Sequence, residues 1–198
     1  VSKQDIKIIQ GSTFIQQVRW ETTPIVYKPI TGITQAAPVS ITAATHGVPN
    51  GWRVAIVSVK GMAEINAKNS PPKDKDYLPA TSIDANTIQL NDLNAADFSN
   101  YQSGGYVQYN SPVDLTGFTA NMEIKDRIGG TMLAMLSTVT GEIVLDNTNK
   151  VITITLTAAK TVAYTWTKGV YDLELVSATG VVTTLLYGAV TVYQEVSI

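Results

Sequence analysis

The sequence contains no cysteine and a single histidine, His46, among its 198 residues. Disulfide staples, thiolate metal sites and cysteine nucleophiles are therefore excluded, and so is any metal site needing two imidazoles. Charge is scarce as well: 15% of residues are charged, against roughly 25% in an average globular protein. The net charge of −2 and the scattered Lys and Arg leave no basic stripe for a phosphate backbone, so no nucleic-acid partner is expected. No apolar run approaches the ~18–20 residues that span a bilayer, and no membrane partner is expected either. A charged N-terminal region followed by an apolar run is missing, and the opening Val1-Ser2-Lys3 fits removal of an initiator Met. A soluble product assembled in a cell's cytoplasm is the expectation.

What is abundant is Thr, Ser, Asn and Gln, which keep a charge-poor surface soluble yet cheap to desolvate against neighbours. Thr-rich β proteins share this composition without any such purpose. Period-2 alternation dominates. In residues 118–125, Phe118, Ala120, Met122 and Ile124 share one face, and Thr119, Asn121, Glu123 and Lys125 the other. Ile152, Ile154 and Leu156 alternate with threonines, and Tyr171, Leu173 and Leu175 with Asp172 and Glu174. Near the start, Phe14, Val18 and Trp20 lie on one face around Gln16. Each run reads as a strand buried on one side. A last strand is predicted over 183–193, with a bend at Gly188.

Turn residues at 115–117, 128–130, 140–142, 146–149 and 178–180 punctuate these runs. One helical turn is predicted over 157–164, with Thr157 as its cap. Strands at this spacing make an all-β, antiparallel sandwich or barrel. Residues 33–110 keep their own rhythm, with predicted strands at 39–42, 52–59, 87–90 and 105–109. The flanks 28–32 and 110–112 read as hinges. The expected organisation is a discontinuous β-sandwich over 1–32 and 111–198, with a small β-barrel module inserted over 33–110.

Two stretches carry a family resemblance. Gln10-Gly11-Ser12-Thr13-Phe14, then Pro112-Val113-Asp114-Leu115-Thr116-Gly117-Phe118-Thr119-Ala120, frame one pattern. It continues through Gly141-Glu142-Ile143, Leu156-Thr157-Ala158-Ala159 and Gly169-Val170-Tyr171-Asp172-Leu173-Glu174-Leu175. This pattern resembles the N-terminal domain of tailed-bacteriophage baseplate upper proteins, which implies a β-sandwich that docks a subunit onto the virion. The insert carries Ile41-Thr42-Ala43-Ala44-Thr45-His46-Gly47, Gly51-Trp52-Arg53-Val54, Gly61-Met62-Ala63-Glu64-Ile65-Asn66 and Asn86-Thr87-Ile88-Gln89-Leu90. It is similar to a small β-barrel found in phage structural proteins and related to one in ubiquitin-activating enzymes. Only the barrel shape carries over, since this chain has no Cys and no nucleotide loop.

The resemblance implies a virion structural subunit of the tail, baseplate or neck. Its partners would be other phage structural proteins and further copies of itself, and its place the virion, after assembly in the host cytoplasm. A receptor- or carbohydrate-binding module and a capsid decoration protein are the alternatives. No catalytic, cofactor or metal residues are expected, and no enzyme activity. Candidate interface residues are Tyr101, Tyr106 and Tyr109 near Gly104-Gly105, read either as a binding patch or as barrel core and rim. Met132 and Met135 are read either as core or as a contact for a neighbouring subunit. His46 reads as structural, either with its ring packed on Trp52 or with its imidazole hydrogen-bonded to hold the turn, in preference to a general base, for which no nucleophile elbow is at hand. Asp146, Asn147 and Asn149, with Glu142 nearby, read as a hairpin turn and lack calcium-loop spacing. Asp74 and Asp76 read as solvated charges in the exposed loop 71–76.

Overall fold

The computed structural model describes residues 1–195. Of the terminal segment 194–198, expected to order against neighbours, residues 196–198 lie outside the described residues. Among the described residues the early strands are β1 (Ser2–Lys3), β2 (Ile6–Ile9), β3 (Phe14–Val18), β4 (Glu21–Pro29), β5 (Gly32–Ile33) and β6 (Val39–Thr42). Next come β7 (Trp52–Lys60), β8 (Leu78–Ser82), β9 (Thr87–Leu90) and β10 (Ser103–Pro112). The remainder are β11 (Thr119–Lys125), β12 (Met132–Ser137), β13 (Ile143–Asp146), β14 (Val151–Leu156), β15 (Lys168–Val176) and β16 (Val182–Tyr193). A single helical turn, α1 (Ala158–Val162), precedes β15. The fold is all-β and sandwich-like.

The chain divides into two compact units: Val1–Trp20 with Asp114–Ile198, and the inserted unit Glu21–Val113. The inserted unit thus starts at residue 21 and not at 33. The reason is β4, which pairs along β10 from Tyr106↔Pro29 to Pro112↔Glu21. The Glu21 carboxylate adds to this by receiving Arg53 Nε and Nη2 of β7 at 2.5 and 2.7 Å and Asn110 Nδ2 at 2.7 Å. The flanks expected to be hinges are largely these two strands. Prolines 24 and 29 obscured β4 in the sequence, but its edge position needs no donor from them.

In the split unit, Phe14, Gln16 and Val18 of β3 turn inward, as do Ile152, Ile154 and Leu156 of β14. These strands and β13 form a three-stranded antiparallel sheet. The second sheet runs β16-β15-β11-β12, with β1 and β2 on the free side of β16. Its buried rows are Ala120, Met122 and Ile124, then Tyr171, Leu173 and Leu175, each essentially dry. Burying each large apolar side chain stabilises by about 1.5–3 kcal/mol. Unlike the rest of the sheet, β1 and β2 pair in parallel with β16. They keep one register across the break, which lies opposite Gly188. A Cβ there would sit 2.2 Å from the Gln4 carbonyl oxygen, so the glycine expected to bend the strand instead lets the N-terminal chain approach.

α1 begins after Thr157, but the threonine side chain makes no capping bond. The turn is held from the N-terminal segment instead. Thr161 Oγ1 donates to Ser12 O at 2.8 Å, and Gln10 Nε2 donates to Val162 O and Tyr164 O at 3.1 and 3.0 Å.

The inserted unit is one seven-stranded sheet, ordered β4-β10-β7-β8-β9-β6-β5. Its two edge strands, β4 and β5, are consecutive in the chain, so the sheet curls into a half-barrel. At the turning point Ile30 N–H donates to Gly105 O and Thr31 N–H to Thr42 O, on opposite ends of the strand order. The enclosed core includes Val39, Ile41, Trp52, Met62, Ile88, Leu90 and Val107. Trp52 Nε1 is satisfied by Asn110 O at 3.0 Å.

Candidate functional site

The three candidate tyrosines do not form one patch. Along β10 side chains alternate between faces, so Tyr106 and Tyr109, three apart, point in opposite directions. Tyr109 is buried in the half-barrel core, where its hydroxyl donates to His46 O at 2.6 Å and burial pushes its pKa up. Tyr101 packs against the same core, its hydroxyl within hydrogen-bonding distance of Ile30 O (3.0 Å) and Gly104 O (3.1 Å). Only Tyr106 is open to solvent, at 43% exposure. Its companion is Tyr27 of β4, with ring centroids 6.2 Å apart and planes at 88°. Tyr27 was not legible as a site residue because it lies far from Tyr106 in sequence, though Ile25 and Tyr27 alternate with Val26 and Lys28.

Met132 and Met135 are both on the surface, at 53% and 51% exposure. Strict alternation would separate two residues three apart. A register shift between Ile124 and Lys125 of β11 puts the extra residue into β12 and turns both methionines outward. Core packing is therefore not their role. β12 is the last strand of its sheet, and no described strand pairs with its outer edge. Its sequence, Met-Leu-Ala-Met-Leu-Ser, has no charge and no proline.

The polar face of the same sheet carries Glu123 opposite Asp172 and Asn121 opposite Glu174. Lys125 Nζ lies 2.6 Å from Glu123, which raises the lysine pKa, with Asp172 and Glu174 adding to the effect. On the three-stranded sheet, Ile15 pairs with Thr155 and Val144 with Thr153. Ile15 and Val144 are exposed, giving a second face of apolar and hydroxyl groups.

His46 is buried and fully engaged. Nδ1 accepts the Val48 N–H at 2.9 Å, which places the proton on Nε2, donating to Asp84 O at 2.7 Å. It holds a turn. The Asp146 carboxylate receives the backbone N–H groups of Thr148 and Asn149 and the Asn149 amide, the geometry of a hairpin turn. Glu142 points elsewhere: its buried carboxylate receives the hydroxyl of Thr140 and the ammonium of Lys160, both of which reach in from the surface. Asp76 is more than a solvated charge. It accepts from Lys68 N–H, Lys73 N–H and Asn69 Nδ2, and these bonds, that from Lys73 first, lower its pKa. Asp74 is exposed beside Arg53 at 3.2 Å.

No protein-family model matches the chain, and no curated protein sequence matches it.

Proposed function

We propose that this chain is a structural subunit of a tailed-phage virion, a tail, baseplate or neck component that works through protein–protein contacts and not through catalysis. The observation that carries the reading is β12: an open, uncharged edge with two half-exposed methionines. Monomeric proteins blunt such edges with Lys, Pro or bulges. Here a bulge turns apolar side chains outward instead of away. Ile15 and Val144 add a second surface that loses little on desolvation. The resemblance of the split unit to a docking sandwich supplies the particle, and the low charge supplies the means.

Further copies of this chain are the occupants we assign to the β12 edge, by antiparallel strand addition. Other virion proteins would cover the remaining faces, and a stable assembly would bury about 2,000 Å² or more. The test is quantitative mass spectrometry of purified particles together with the solution mass of the full chain. The expected result is a fixed copy number in the particle and self-association that Met132→Lys with Met135→Lys abolishes. A monomer absent from purified particles would overturn the proposal.

A further inference from the structure

We infer that the inserted unit carries a binding cleft for an uncharged oligosaccharide, between Tyr27 and the loop over residues 66–72. The cleft has a volume of about 450 Å³, within the range of ~300–1,000 Å³ usual for small-ligand sites. Its floor is the outer face of the half-barrel: Val57 and Ser58 of β7 and Gln108 of β10. One wall is Tyr27, 52% exposed and in T-shaped contact with Tyr106. The opposite wall is the loop, bearing Asn69, Pro71 and Pro72.

The chemistry of the lining selects the ligand. No residue that lines the cleft is charged. Phosphates, carboxylates and metal ions would find no counter-charge there, and burying them uncompensated is costly. What the cleft presents is one exposed aromatic side chain with amide and hydroxyl side chains around it. A neutral sugar has the matching halves: a C–H face for the ring, and hydroxyls that both donate and accept.

The polar groups are held in advance and left with capacity. Gln108 is only 3% exposed, and its Nε2 donates to Tyr77 Oη at 2.9 Å. The Gln108 side chain is one of those that line the cleft. Asn69 likewise spends its Nδ2 on Asp76 at 2.8 Å and keeps its oxygen. Asn66 fixes the loop to the floor by bonding both Val59 N–H and Val59 O, at 2.8 and 3.0 Å. Next to that clamp, Ser58 adopts φ +60° two residues before the end of β7. A non-glycine residue in this region is strained, and such strain concentrates at ligand sites.

This inference is independent of the assembly reading. The test uses the full chain and an immobilised panel of neutral oligosaccharides: α- and β-linked glucans, mannans, galactans and N-acetylglucosamine oligomers. Binders are then titrated by amide NMR. Expected are shifts at Ser58 and at the Asn69 and Gln108 side-chain amides. Tyr27→Ala should lose about tenfold in affinity or more with an unchanged melting temperature. Tyr106→Ala should lose less, and Asn69→Leu should weaken binding through the loop wall alone. The inference is overturned if no panel member binds at millimolar concentration. It is equally overturned if affinity survives Tyr27→Ala, or if polygalacturonate or sulfated glycans bind as tightly as neutral ones.

Discussion

At the scale of single residues, this protein uses its few charged and titratable groups to hold turns. His46 satisfies the buried Val48 N–H and the Asp84 carbonyl at once. Replacing it with Ala leaves both unpaired and should cost about 1–3 kcal/mol. The check is a urea unfolding curve of the inserted unit followed through Trp52; an unshifted midpoint would contradict the assigned bonds. Asp114 is the acid-side counterpart. The side chains of Asn147, Thr116 and Lys150, with the Thr116 N–H, hold its carboxyl down to about 2 from an ordinary 3.8. A lowered folded-state pKa means this stabilisation is present above pH 3.8 and lost as pH falls towards 2. Carboxyl NMR titration should find the midpoint near 2 and Asn147→Ala should raise it; a titration at the ordinary value would refute the arrangement. The turn roles of His46 and Asp146 were legible because turn chemistry is local. That of Asp76 was not, since its partners gather only when the loop folds back from residue 68 to 76.

At the scale of elements, the most exacting junction is where β1 and β2 dock along β16. Gln4 N–H donates to Tyr187 O, and Gln4 O receives the Tyr171 hydroxyl at 2.7 Å. Asp5 Oδ1 receives the Ala189 N–H at 3.0 Å. Gly188→Ala drives a methyl into this site and should destabilise the split unit by about 1–3 kcal/mol. Amide exchange at Ile6 and Ile8 should rise; unchanged protection there would show that the close approach is not required. Burial, with the nearby Asp5 charge, pushes Tyr171 up to about 12 from 10.0. A raised folded-state pKa places its stabilisation below pH 10 and removes it as pH climbs to 12, so the junction should loosen in that window and resist it in Tyr171→Phe. β11, β14 and β15 could be read directly from alternation, because one face is buried and the other wet. β4 could not, since two prolines interrupt it and its partner β10 lies some eighty residues away in sequence. The parallel pairing of β1 and β2 leaves no local signal at all: it joins the two ends of the chain.

At the scale of the whole molecule, surface composition is the feature that demands explanation. A charge-poor chain exposes Met132 and Met135 along an open edge, and Ile15 and Val144 on a separate sheet. The sequence could flag the methionines as a contact but not place them, because their common orientation depends on a one-residue register shift. It grouped three tyrosines by proximity, but Tyr106 and Tyr109 face opposite ways on β10, and Tyr101 lies in the loop before it. The proposed self-association rests on β12. Sedimentation of the full chain over a wide concentration range measures that directly. Concentration-dependent self-association that disappears when Met132 and Met135 are both replaced by Lys is the expected result. A monomer at every concentration, or an oligomer indifferent to that pair of substitutions, would contradict it.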